Sequence, residues 1–138
     1  LLTTTLIFIT SSPRMPMSQT TYFKQFHIYE LVKPLSPNSP LSLALLVTSD
    51  EFLYRRHQQM VSVLLLSPVP RETESEIRLK ISCRSNGGAV NLRSDCYAMI
   101  DNILPMPKSN LKLVSGQEIA EVEKQELEDK LKSWLGLV

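Results

Sequence analysis

With two cysteines, two histidines and no long apolar run, this sequence is short of several kinds of chemistry. Cys83 and Cys96 show no C-x-x-C spacing and have no histidine at a metal-ligand interval, so they read as free thiols of a reducing cytosol. A disulfide between them is the alternative. The G-x-S-x-G turn, the Walker loop, H-E-x-x-H and paired zinc ligands are all missing, which excludes the enzyme classes those motifs mark. No metal or cofactor is expected. His27 and His57 could supply an acid and a base for ribonuclease chemistry, but nothing in the sequence brings them together, and both read as structural or solvated.

The apolar run from Leu6 to Ile9 falls far short of the ~20 residues of a membrane span and has no basic stretch before it. A cytoplasmic protein with no membrane partner is expected. Residues 1–25 read as a disordered or upstream-translated tail ahead of a start at Met15 or Met17, with a weak signal peptide as the alternative. Residues 26–138 then form one domain, of a size that a single core can hold together.

Charge of one sign is lacking overall, the formal net charge being +1, but its distribution is uneven. Residues 1–117 hold twelve Lys/Arg against eight Asp/Glu, while residues 118–138 hold three against six. A basic body with an acidic final segment fits nucleic acid on one side only. Four cations and no acid (Arg78, Lys80, Arg84 and Arg93) lie between residues 77 and 94, the most electropositive stretch of the chain.

Strand signals dominate. "QFHIYELVK" alternates, and "LALLVTS" and "MVSVLLLSP" are continuous apolar runs of strand length, fit to be buried on both faces. "IRLKIS" alternates most cleanly, with Ile77, Leu79 and Ile81 inward and Arg78 and Lys80 outward. "NGG" at 86–88 predicts a hairpin that returns through "AVNLRS" as the partner strand. "YAMI" begins another strand, which Asp101, Asn102 and the prolines at 105 and 107 should end. Asp101 and Asn102 read as caps of a turn. Ser115 and Glu118 form a capping-box pattern ahead of a helix over 116–135. Ala120, Leu127, Leu131, Trp134, Leu135 and Val138 make its apolar stripe, with Trp134 packing it onto the body or onto a partner chain. The expected fold is mainly β, a small barrel of five to six strands with a C-terminal helix.

Arg55 and Arg56, with Phe52 and Tyr54, make a basic-aromatic cluster suited to a phosphate or a stacked base. Together with Arg78 and Lys80 they are the expected RNA contacts. Ser67 closes an apolar strand before Pro68, so its hydroxyl emerges at a rim.

"YAMIDNILPMPKSNL", Tyr97 to Leu111, resembles a segment of the MazF/PemK family of toxins. That family reads roughly Tyr-Ala-Leu-x-Asp-Gln-Ile-Arg-Thr-Val-Asp-Lys-Ser-Arg-Leu there. Asp101, Ile103, Lys108, Ser109 and Leu111 match it, and Asn102 and Met106 are conservative replacements. "LLVTSDE" at 45–51, "VSVLLLSP" at 61–68 and the closing "WLGL" are similar to further blocks of the same family. The resemblance implies an SH3-like barrel, a homodimer, a cognate antitoxin and metal-independent cleavage of single-stranded RNA. It places the family's hydroxyl at Ser67, as the catalytic candidate, and its arginine at Ser42. A serine carries no fixed charge and cannot stand in for a guanidinium. Either a cation from a neighbouring loop (Lys33, Arg55, Arg56 or Arg71) restores the charge at lowered activity, or the chain is a catalytically silent RNA- or antitoxin-binding module. A gyrase-directed toxin of similar fold is the third reading.

Overall fold

The computed structural model describes residues 22–55, 57–114 and 116–137. Most of the expected tail, the expected RNA contact at Arg56, the Ser115 half of the expected cap and Val138 lie outside the described residues. In order come β1 (Ile28–Leu31), β2 (Leu43–Leu46), the single-turn α1 (Asp50–Leu53), β3 (Met60–Ser67), β4 (Arg78–Ile81), β5 (Cys96–Pro107), β6 (Leu111–Leu113) and α2 (Glu121–Leu135). Short 3₁₀ turns at Glu72–Ile77, Arg84–Asn86 and Lys108–Asn110 fill the connections.

The apolar runs behave as their composition dictates. Successive side chains of a strand point to opposite faces, and both faces here meet a core. Ile28, Leu45, Leu64, Leu79, Ala98 and Ile100 lie on one face, covered by Leu127 of α2. Tyr29, Ala44, Leu46, Val63 and Leu65 lie on the other, with Leu53 of α1, Met106 and Leu111. Burial pushes the Tyr29 phenol up to about 12. Its hydroxyl donates to the Tyr22 carbonyl at 2.6 Å and accepts from the Lys24 amide at 3.0 Å, so residues 22–24 are fastened beneath the sheet.

The expected barrel is not formed. All six strands are antiparallel to their neighbours in the order β4-β5-β3-β2-β1-β6, and the outer strands β4 and β6 do not pair with each other. Closure needs edge strands that meet with matched register and tilt. Here the edges are only four and three residues long, and β4 lies against α2 and the 3₁₀ turn at Glu72–Ile77. Short, covered edges manage the exposed backbone without closure. Alternation in a sequence is satisfied equally by an open sheet and a closed one.

The prolines do not end β5. Its first half pairs with β4 and with the end of β3, and its second half pairs with the beginning of β3, across a register shift between Leu64 and Leu66. Beyond Met99 it has no partner on the β4 side. The Lys108 amide donates to the Gln59 carbonyl at 2.9 Å, on the β3 side. By alternation, the nitrogens of Pro105 and Pro107 face the unpaired side, where no ladder bond is forfeited. Asp101 is thus a strand residue rather than a turn cap.

The "NGG" stretch is a second correction. Asn86 is the last residue of a 3₁₀ turn that Gly87 closes at φ +90°, and among the described residues the segment after it makes an isolated Cys83–Val90 bridge in place of a strand. β4 pairs with β5 instead. Both cysteines are buried and free, and burial pushes the Cys96 thiol up to about 12.

The helix starts five residues later than the cap pattern suggests. Glu123 is buried and does two jobs there: one carboxylate oxygen accepts from the Ala120 amide at 3.0 Å, the other from the Ser82 amide at 2.9 Å. The first bond satisfies an orphan donor of the helix start. The second ties that start to the end of β4. Leu127 is buried and Leu131 packs against it, but Trp134 is 50% exposed, so the stripe leaves the core before it reaches that residue.

Candidate nucleic-acid interface

Ser67 ends β3 opposite Tyr97 of β5, and Tyr97 pairs on its other side with Lys80 of β4. Leu43 pairs with Leu66, so Ser42, one residue before β2, falls opposite Ser67. The register therefore sets Ser42, Ser67, Tyr97 and Lys80 in one row across four strands. Directly opposed residues project to the same face, and three inter-strand steps span about 14 Å.

At the Lys80 end of the row is a cleft of about 370 Å³ lined by Arg71, Ser75, Arg78, Lys80, Tyr97 and Lys130 among others. Its cations are unequally available. Lys80 is exposed and lies 3.7 Å from Asp95. Arg71 is paired with Glu74, and Lys130 donates to the Ser75 carbonyl. Arg78 was expected to face solvent beside Lys80 but is only 8% exposed. It shares a face with Lys80, yet its Nη1 donates to Asp101 Oδ1 at 2.7 Å and to the Ile77 carbonyl at 2.9 Å. Alternation placed it on the correct face, but β5 runs past the end of β4 and brings Asp101 over it.

At the Ser42 end a smaller cleft of about 160 Å³ is lined by Ser42, Leu66, Pro68, Arg93 and Asp95 among others. Ser67 falls between Ser42 and Tyr97 in the row and lines neither cleft. Its hydroxyl accepts from the Val69 amide at 3.1 Å and donates to the Val69 carbonyl at 3.2 Å, so a phosphate oxygen would have to displace that carbonyl as the acceptor of its proton.

Asp95 secures the loop that walls the smaller cleft. Its Oδ1 accepts from the Cys83 amide at 2.9 Å and from Asn86 Nδ2 at 3.1 Å. The Cys83 amide, then the Asn86 and Cys83 side-chain contacts, hold its carboxyl down to about 2, with Lys80 contributing less. A carboxylate depressed by folding contributes stability that is complete above the unfolded value near 4 and is lost as pH falls through the folded value. The loop should thus keep its clasp to about pH 2. An NMR titration of the Cys83 amide is expected to show a midpoint near 2; one near 4 would mean that the clasp is absent in solution.

Arg55 is not part of this row. It pairs with Glu51 at 3.2 Å and lies over the Phe52 ring at 4.1 Å. The Leu53 carbonyl beside it accepts from Lys108, which follows Pro107, opposite Met60. Met60 and Ser67 are the two ends of β3, about 24 Å apart at strand rise. The structure therefore brings Ser42, Ser67 and Lys80 together, with Arg78 behind them, and leaves Arg55 at the other end of the sheet. His27 is buried, its ring nitrogens 3.4 and 3.3 Å from the carbonyls of Gln25 and Gly116. Among the described residues no group of three or more His, Cys, Asp or Glu is placed to hold a metal ion, and no helix is long and apolar enough to cross a membrane.

Arg93 is the residue that sequence reasoning passed over at the Ser42 cleft. It belonged to the basic stretch, but nothing in a linear pattern sets a loop residue beside a strand start fifty positions earlier.

An open antiparallel sheet backed by one C-terminal helix can be compared with solved structures. At the level of sequence, no family model matches this chain and no curated protein is similar to it. The structure is similar to an endoribonuclease in complex with its cognate antitoxin from a mycobacterial species, with a TM-score of 0.62 and 19% identity over 85% of this chain and 98% of that one. It is also similar to an endoribonuclease from a mycobacterial species, with a TM-score of 0.60 and 19% identity over 86% of this chain and 96% of that one. At this identity the likeness is one of fold.

Proposed function

We propose that this protein is a MazF/PemK-like toxin, a cytoplasmic homodimer that cleaves single-stranded RNA and is restrained by a cognate antitoxin. The observation that carries the reading is the row Ser42, Ser67, Tyr97 and Lys80, at positions where the family resemblance puts its arginine and its hydroxyl, on a fold shared with endoribonucleases. A neighbour bound to its antitoxin supports the same assignment of partner.

The chemistry asks little of the protein beyond placement and charge. The RNA's own 2′-oxygen forms a bond to phosphorus while the bond from phosphorus to the 5′-oxygen breaks, leaving a 2′,3′-cyclic phosphate. The 2′-proton passes to a solvent base and the departing 5′-oxygen takes one from water or a hydroxyl. Ser67 would donate to the phosphate, and Lys80, two strands away across Tyr97, would balance its charge, both worth more at a pre-organised site than in water. No step is assigned to Asp95, whose depressed carboxyl makes it a poor proton acceptor.

The test is incubation of a long single-stranded RNA with purified protein in EDTA, beside Ser67→Ala. Discrete fragments are expected from the native protein, and a loss of about a hundredfold in rate from the variant. Intact RNA from folded protein would overturn the nuclease reading. It would favour the silent binding module, to which the uncharged Ser42 and the self-bonded Ser67 already lend weight.

A further inference from the structure

Resting on that reading, we propose that Arg93 supplies the guanidinium that Ser42 does not, binding an RNA phosphate in the cleft at the β2–β3 end of the sheet. Four observations converge on it. Ser42, Pro68 and Arg93 line the same cleft; Ser42 falls opposite Ser67 in the register and Pro68 follows it, so the cleft adjoins the candidate hydroxyl although Ser67 does not line it. The second is availability. Of the four cations between residues 77 and 94, Arg78 is committed to Asp101 and Lys80 lies near Asp95. Arg93 is exposed, with no hydrogen-bond or ion-pair partner among the described residues.

The third is anchorage. A catalytic cation on a free loop would lose much of its value to conformational entropy, but this loop is held at several points. Val90 is fully buried and Leu92 packs against the same core. The Arg84 amide donates to the Val90 carbonyl at 2.8 Å, and the Gly88 amide to the Cys83 carbonyl at 2.9 Å. Asp95, two residues beyond Arg93, is clasped by the Cys83 amide and Asn86.

The fourth is charge. Asp95 is the carboxylate in that cleft, and its oxygens already face the Cys83 amide, Asn86 and Lys80. It therefore leaves Arg93 free for an anion. A guanidinium is the suitable group, because its planar fork meets two phosphate oxygens at once.

Two measurements test this, with Arg84→Ala as control, since Arg84 is the other cation of this stretch with no side-chain partner among the described residues but does not line the cleft. The first is cleavage of the long RNA in EDTA. Arg93→Ala is expected to lower kcat by 10²–10³-fold, roughly the loss on removing one pre-organised donor. Arg93→Lys should recover only a small part, and Arg84→Ala should stay within about twofold of native. The second is binding of a 2′-O-methyl 20-mer, which lacks the attacking hydroxyl, at several salt concentrations. Arg93→Ala should reduce the slope of log K against log salt by about 0.7, one phosphate contact on a single strand. A native rate and an unchanged slope in Arg93→Ala would overturn the assignment while leaving the nuclease reading standing. A native protein that binds with an Arg93-dependent slope but does not cleave would uphold the phosphate contact and overturn the nuclease reading. A native protein that does neither overturns both.

Discussion

Asp101→Ala is expected to cost about 3 kcal/mol of stability and to lower Tm by roughly 10 °C. Arg78 is 8% exposed, and its Nη1 reaches Asp101 and the Ile77 carbonyl. Its Nε is buried with no hydrogen-bond partner among the described residues. Removal of the carboxylate would leave a guanidinium inside the protein with one carbonyl for company, the circumstance in which breaking an ion pair is expensive. The figure is set at the low end of the range for buried pairs because the Asp101 side chain is itself a third exposed, so water can partly replace it. Asp101→Asn keeps an acceptor and should cost about 1 kcal/mol. Arg78→Met combined with Asp101→Ala should regain most of the loss, since the penalty lies in the unpaired charge. Urea unfolding decides it. A single alanine variant within 0.5 kcal/mol of native would mean that Arg78 reaches solvent, which would make it available to RNA after all.

The second large effect is expected at Gly88. A Cβ built there would lie 1.7 Å from the Ser82 carbonyl oxygen and 2.4 Å from its carbon, and backbone atoms at the end of a paired strand cannot step aside cheaply. Gly88→Ala should therefore lift the 84–95 loop off β4, at a cost of about 3 kcal/mol. Gly87 makes the contrast. Its φ of +90° disfavours any side chain, yet a Cβ there meets nothing within 4 Å, and Gly87→Ala should cost about 1 kcal/mol. Hydrogen exchange at the Arg84 amide, bonded to Val90, reports the loop directly. Faster exchange in Gly88→Ala than in Gly87→Ala is the expected order. The reverse order would show that backbone strain, and not close approach, governs this loop. If the protein cleaves RNA as proposed, the same variant should weaken that cleavage, because Arg93 rides on the loop it displaces.

Much of the architecture was legible from the residues alone. Strands within Leu43 to Ser49 and Met60 to Pro68 were readable because a continuous apolar run of that length is only stable with both faces covered, and the structure ends them at Leu46 and Ser67. Leu79 and Ile81 were readable as inward because alternation leaves them no other place. What stood beyond reach was pairing. Lys80 and Ser67 are thirteen positions apart, yet a single Tyr97 lies between them. Arg93 and Ser42 share a cleft only because Val90 and Leu92 seat the intervening loop in the core. The prolines misled for a related reason. A proline forbids a ladder bond on one side of one strand, and whether that side is occupied depends on where β4 stops, which no local pattern records.

The sequence by itself determined which segments extend, which faces are apolar and that a hydroxyl rather than a charge occupies position 42. Those properties belong to single residues and their near neighbours. Only the tertiary structure decided that the sheet stays open, that Arg78 is held by Asp101 and that Arg93 lines one cleft with Ser42, unpaired among the described residues. Each of these depends on strand order and register, and these follow from how the whole chain buries two faces at once.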